Sequence, residues 1–115
     1  MKKEVTFTVK GVEWTAKFLP EKQFDKVYLK NFPDEAEVTK YGFHGNKTIY
    51  FCSSLVDRNT IRHEVFHSFV TETNTDFVDF GKSEMEDLSC DIFAEHCLDI
   101  LKVCDKVLDA FLSKE

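Results

Sequence analysis

The hydrophobic period of this chain changes partway along it. Over residues 4–18 apolar side chains recur at every second position, and from Asp57 to Glu72 they recur at every third or fourth. Val5, Phe7 and Val9 alternate with polar residues, Lys10-Gly11 interrupts, and Val12, Trp14, Ala16 and Phe18 resume the alternation. A period of two puts one set of side chains on one face of a strand, so residues 4–18 are expected to form a β-hairpin with a Gly-containing turn. Pro20 ends it. Phe24, Val27, Tyr28 and Leu29 then have helix-like spacing, but the run stops before Pro33, which suits a helix of one or two turns. A second strand pair is expected over residues 38–43 and 48–52, around His44-Gly45-Asn46 as turn chemistry, because Thr48, Ile49, Tyr50 and Phe51 are β-branched or aromatic.

The helical period opens at Asp57, a good N-cap, and Ile61, Val65, Phe66, Phe69 and Val70 supply a buried side up to about Glu72. Asn74, Asp76 and Gly81 mark a loop, within which Phe77, Val78 and Phe80 read either as a plug beneath it or as part of a substrate lip. Ser83 with Glu86 three residues on is a capping box, opening a helix that runs to about Leu112. Strands first and helices afterwards predict an α+β fold: a small antiparallel sheet, made of the N-terminal hairpin and a second strand pair, packed on a helix pair. At 115 residues, 1–115 reads as one domain with room for only a shallow cleft.

Composition narrows the function classes. A net charge of −6 argues against non-specific nucleic-acid binding, which depends on Lys and Arg neutralising phosphates. No apolar run approaches the roughly 20 residues of a membrane span, and no apolar h-region follows Met1-Lys2-Lys3, so the expected compartment is the cytosol. Cys90, Cys97 and Cys104 recur every seven residues within one predicted helix. Seven residues rise about 10.5 Å, beyond the roughly 7 Å that a disulfide spans, so they cannot pair with one another and, with Cys52, are expected to be reduced and core-packing.

The chemistry is concentrated in His63-Glu64-Val65-Phe66-His67. Four residues apart on a helix, the two imidazoles lie on one face and can converge on a tetrahedral zinc, while Glu64 beside the first is placed to act as general base on a zinc-activated water. Catalytic zinc usually takes three protein ligands. Glu84, Glu86, Asp87 and Asp91 crowd the start of the next helix. Glu84 reads as a first-turn acid favouring the helix dipole. Asp87 is followed three, four and seven positions later by Cys90, Asp91 and Ala94, and Glu86 by Ser89, Cys90 and Phe93, so either could face the motif helix; His96 is a further candidate. The bland alternatives are a chance motif on a solvated helix and an acidic cluster that only complements a helix dipole. His44 reads as a turn residue, with oxyanion stabilisation by His44, Tyr41 or Tyr50 as the alternative.

Residues 60–69 together with residues 87–94 resemble the small zinc peptidases of the ImmA/IrrE type encoded by phages and mobile elements, which are minimal gluzincin-like domains. The resemblance implies that His63 and His67 are ligands, Glu64 the catalytic acid/base, Asp87 the third ligand and Asp91 a partner of the ligands. Asp87 stands where that family has Glu, which leaves Glu86 as a substitute. The resemblance covers about the C-terminal two-thirds. In peptidases of this architecture a sheet-edge strand pairs with extended substrate, which points to residues 48–51. The expected function is zinc-dependent hydrolysis of a peptide bond in a protein or peptide substrate. The alternative is a metal-binding interaction module of a mobile element that acts on a partner such as a repressor without hydrolysis.

Overall fold

The structure, a computed structural model, describes residues 3–73 and 82–113, with the side chains at 82–86 and 88 outside the description. Its element order is β1 (Lys3–Val9), β2 (Val12–Leu19), α1 (Glu21–Asn31), β3 (Gly42–Gly45), β4 (Thr48–Cys52), α2 (Arg58–Glu72) and α3 (Lys82–Leu112). This is an α+β fold in which one four-stranded sheet, ordered β1-β2-β4-β3, packs against helices. No helix among the described residues is long and apolar enough to cross a membrane.

Both strand pairs close on two-residue turns. Lys10 and Gly11 have φ of 51° and 82°, and Val9 faces Val12 across the turn. Asn46 and Lys47 have φ of 56° and 62°, and Gly45 faces Thr48. Two consecutive left-handed residues give the hairpin turn whose twist matches that of its strands. The second turn is thus Asn46-Lys47, so His44 and Gly45, expected in the turn, belong to β3. Each pair is antiparallel, but the pairs join through a parallel β2–β4 ladder, so the sheet is mixed rather than wholly antiparallel. A parallel ladder needs a long crossover, and α1 with its following segment supplies it. That helix has 11 residues, more than the expected turn or two, because Phe24 and Tyr28 bury against the sheet.

This topology moves the substrate-edge expectation. Residues 48–51 lie in β4, which is paired on both sides, whereas β3 is an edge. Cys52 N–H donates to Tyr41 O at 2.9 Å, which fixes the phase of the ladder. In an antiparallel pair hydrogen-bonded and non-bonded positions alternate, so Phe43 and Gly45 are bonded to β4, and the backbone groups of Gly42 and His44 face outward.

The alternation of β4 builds two cores. Ile49 and Phe51 join Phe7, Val9, Trp14, Ala16 and Phe18 in the main cluster with α2 and α3, while Tyr50 and Cys52 face Phe24, Tyr28 and Phe43 on the α1 side. Phe18 stacks on Phe51 and on Phe111, at 5.1 and 5.0 Å between ring centroids. Lys3 Nζ donates to the carbonyl of Phe111 at 3.1 Å and to that of Ser113, tying β1 to the last turn of α3. A helix of 15 residues such as α2 is marginal alone. Ile61, Val65 and Phe69 are buried at successive four-residue steps, each worth roughly 1.5–3 kcal/mol of burial, so tertiary packing is what holds the motif helix.

Both ends of α2 are fixed by carboxylates. Asp57 accepts from Thr60 N–H at 2.7 Å, the expected N-cap, and that backbone hydrogen bond holds its carboxyl below the usual range. At the other end Glu72 accepts from Lys47 Nζ, and from the indole N–H of the buried Trp14 at 2.7 Å. The Lys47 hydrogen bond first, then that from Trp14, lowers its pKa against the opposing effect of burial. Because the unfolded chain takes up this proton first, the stabilisation is fully present above the ordinary glutamate range and is lost as pH falls through the lower folded value. Urea unfolding should therefore show wild type more stable than Glu72→Gln at neutral pH, with the two converging in acid; a difference independent of pH would contradict this.

Candidate metal centre

Glu64, His63 and His67 occupy the side of α2 that faces β3. Gly42 is what permits the approach: a Cβ there would lie 2.8 Å from Thr60 Cγ2 and 3.1 Å from the ring of the buried Phe51. Neither neighbour is a flexible side-chain end, so any larger residue would push β3 off the first turns of α2.

The two imidazoles meet through their Nε2 atoms, 3.0 Å apart, with the rings nearly perpendicular at 78°. Tetrahedral donors at 2.0–2.1 Å from zinc are about 3.3 Å apart, so the pair needs only a few tenths of an ångström to grip one ion. Glu64 Oε2 is 3.8 Å from His63 Nε2, and one ligand atom from each of the three residues lies within 4.8 Å of the others. Two neutral imidazoles converging on one point are donors that suit zinc, with the Glu64 carboxylate beside them. The residues present fit the ion.

Burial differs along the pair. The His63 side chain is 67% exposed and that of Glu64 8%. His67 is half-buried, and burial pushes its imidazole below the ordinary range; the Glu64 carboxylate opposes this, while His44, His63 and Lys40 add to the lowering. A neutral ring keeps its lone pair for a metal.

These groups line an open cleft of ≈790 Å³ between α2 and β3, closed at one side by residues 39–41. That side is pinned from beneath, since the buried Tyr28 hydroxyl contacts Glu35 and lies 2.9 Å from Thr39 Oγ1. Tyr41 is exposed at the rim, and Tyr50 points to the α1 core, away from α2.

The sequence undervalued His44. As a residue of β3 it pairs with Ile49 and shares its inward face, so its ring enters the cleft. There Nδ1 is 3.1 Å from Glu64 Oε1, and the ring stacks on His67 at 4.7 Å with an interplanar angle of 26°. The signal that could have found it is register: with the turn at Asn46-Lys47, position 44 alternates with Phe43 and points to the motif helix.

The third-ligand candidates fare unequally. Asp87 is exposed on α3 and is not among the three residues whose ligand atoms gather. Cys90, Asp91 and Ala94, the stripe that was to carry it toward α2, are exposed as well. The stripe that does pack is Ile92, Ile100, Val103 and Val107, with His96 partly buried beside Phe69. At 100° per residue, position 87 falls roughly opposite that stripe and position 86 about 80° from its centre. The Glu86 side chain lies outside the described residues, as do those of Ser83 and Glu84, and so do Phe77, Val78 and Phe80 of the expected loop. His96 is engaged with Phe69 at 6.1 Å and is 3.9 Å from the exposed Glu95, apart from the His63 and His67 pair. All four cysteines are free; Cys52 and Cys104 are buried, whereas Cys90 is exposed rather than core-packing.

Comparisons with protein-family models, with curated proteins and with solved structures return no match.

Proposed function

We propose that the chain is a zinc-dependent peptidase that hydrolyses a peptide bond in a protein substrate, of the kind that the ImmA/IrrE resemblance implies. One observation carries the reading: two Nε2 atoms 3.0 Å apart sit beside a buried carboxylate on the floor of an open cleft, under an edge strand. Zinc bound there supplies a Lewis acid for the scissile carbonyl and lowers the pKa of water toward neutrality. His63 and His67 hold the ion as neutral donors. Glu64 accepts the proton of the attacking water and returns it to the departing nitrogen, so the acyl half gains the hydroxyl and the amine half the proton. The outward backbone groups of Gly42 and His44 offer an extended substrate a strand to pair with directly above the carboxylate. The free cysteines and the absence of a membrane-length helix among the described residues support a cytosolic setting, in the host cell if a phage encodes the chain.

The third protein ligand comes, in this reading, from the acidic start of α3, and the helical phase favours Glu86 over Asp87. Elemental analysis of Glu86→Ala and Asp87→Ala tests it. Zinc should be lost from the first and kept in the second; retention in both would remove α3 from the site.

A second reading is a zinc-bearing interaction module that acts on a partner such as a repressor without hydrolysis. It draws on the gathering of Glu64 with the two imidazoles. If that carboxylate binds the metal it is spent as a ligand, and no base is left beside the ion.

A further inference from the structure

We propose that His44 is the positioning residue for the Glu64 base, holding one carboxylate oxygen so that the other faces the imidazole pair. The inference rests on the peptidase reading for its consequence in catalysis, but its geometry stands independently. Glu64 is a buried carboxylate on a helix face that otherwise carries Ile61, Val65 and Ser68. Burying a carboxylate without a hydrogen-bond partner is costly. Among the described residues its one partner within hydrogen-bond distance is His44 Nδ1, at 3.1 Å from Oε1, since His63 Nε2 at 3.8 Å from Oε2 is beyond range.

An ionised carboxylate only accepts, so Nδ1 carries the proton and His44 donates. That fixes the tautomer of a neutral ring, with Nε2 left bare. The ring has little freedom to leave: His44 is paired to Ile49 through β3, and its face lies flat on His67. Anchored at Oε1 by the sheet, Glu64 cannot rotate freely about its terminal torsion, and Oε2 stays on the side of His63. His44 is not itself placed as a ligand, because it lies outside the group of ligand atoms that gather within 4.8 Å. One residue thus links the edge strand, through its outward backbone groups, to the base, through its ring.

The test compares His44→Leu, which removes the donor at similar bulk, with His44→Asn, whose amide places a donor where Nδ1 stood. Nitrogen NMR of the wild-type ring above neutral pH should show the Nδ1-protonated tautomer, and Glu64→Ala should abolish that preference. Zinc per chain should be unchanged in both His44 variants. With a quenched-fluorescent peptide library as probe, His44→Leu should lower kcat about 10- to 100-fold at nearly constant KM, and His44→Asn should recover most of the loss. An Nε2-protonated ring, or an unaltered kcat in His44→Leu, overturns the proposal, and so does loss of zinc with His44, which would make it a ligand. Should His44→Leu fail to fold, His44→Gln, which moves the donor away from Glu64, carries the same expectation. A wild type that binds zinc but cleaves nothing would count against the peptidase reading alone, and the tautomer then decides the role of His44.

Discussion

Glu64→Gln should retain its zinc and lose hydrolysis by a factor of about 10²–10⁴, the usual contribution of a general base. Gln has the same shape, and its amide oxygen can still accept from His44 Nδ1, now 3.1 Å from Oε1, so the cleft keeps its geometry. What disappears is the ability to take a proton from water. The fold should not suffer: the side chain is only 8% exposed, and replacing a buried charge by a neutral group of similar volume is often neutral or stabilising. A lowered rate with unchanged melting temperature therefore separates chemistry from folding. Unchanged turnover would remove Glu64 from the mechanism, and loss of zinc would make the carboxylate a ligand and favour the interaction module.

The second large effect lies in metal linkage. A ligand that binds only the folded chain at 1,000 times its Kd stabilises it by about 4 kcal/mol, and wild type should gain on this scale when zinc is added to protein stripped with a chelator. His67→Ala should gain almost nothing, because one imidazole of the pair that meets at 3.0 Å is gone. Without metal the same variant should be close to wild type in stability, since His67 is desolvated beside two other imidazoles, and burial disfavours its charged form. Chemical denaturation with and without zinc measures both. A zinc-dependent gain that survives in His67→Ala would place the ion elsewhere.

Much of the fold was legible because it is written in local period. The Lys10-Gly11 hairpin, the Asp57 cap, the buried row Ile61, Val65 and Phe69, and the end of α3 at Leu112 all follow from spacing and cap chemistry within a few residues. The parallel joining of β2 to β4 does not, because pairing between strands separated by a helix and a third strand leaves no mark on either strand's alternation. For the same reason the substrate edge was assigned to β4 instead of β3. His44 was misplaced by two residues of turn phase: His-Gly-Asn looks like turn chemistry, yet Asn46-Lys47 adopts the left-handed pair. At the site, His63, Glu64 and His67 were readable from their four-residue spacing, which the helix converts directly into proximity. The candidates for a third ligand were less readable, since the phase of α3 is set by Ile92, Ile100, Val103 and Val107, beyond the acidic stretch, and the small residues after Asp87 pointed to the opposite face.

The most direct measurement is zinc per folded chain, by elemental analysis, on wild type and His63→Ala after reconstitution and removal of free metal. About one zinc in wild type and none in a folded His63→Ala is expected for a site held by this histidine pair. A folded wild type that takes up no zinc, or a His63→Ala variant that keeps it, would contradict the metal centre and with it the proposed hydrolysis.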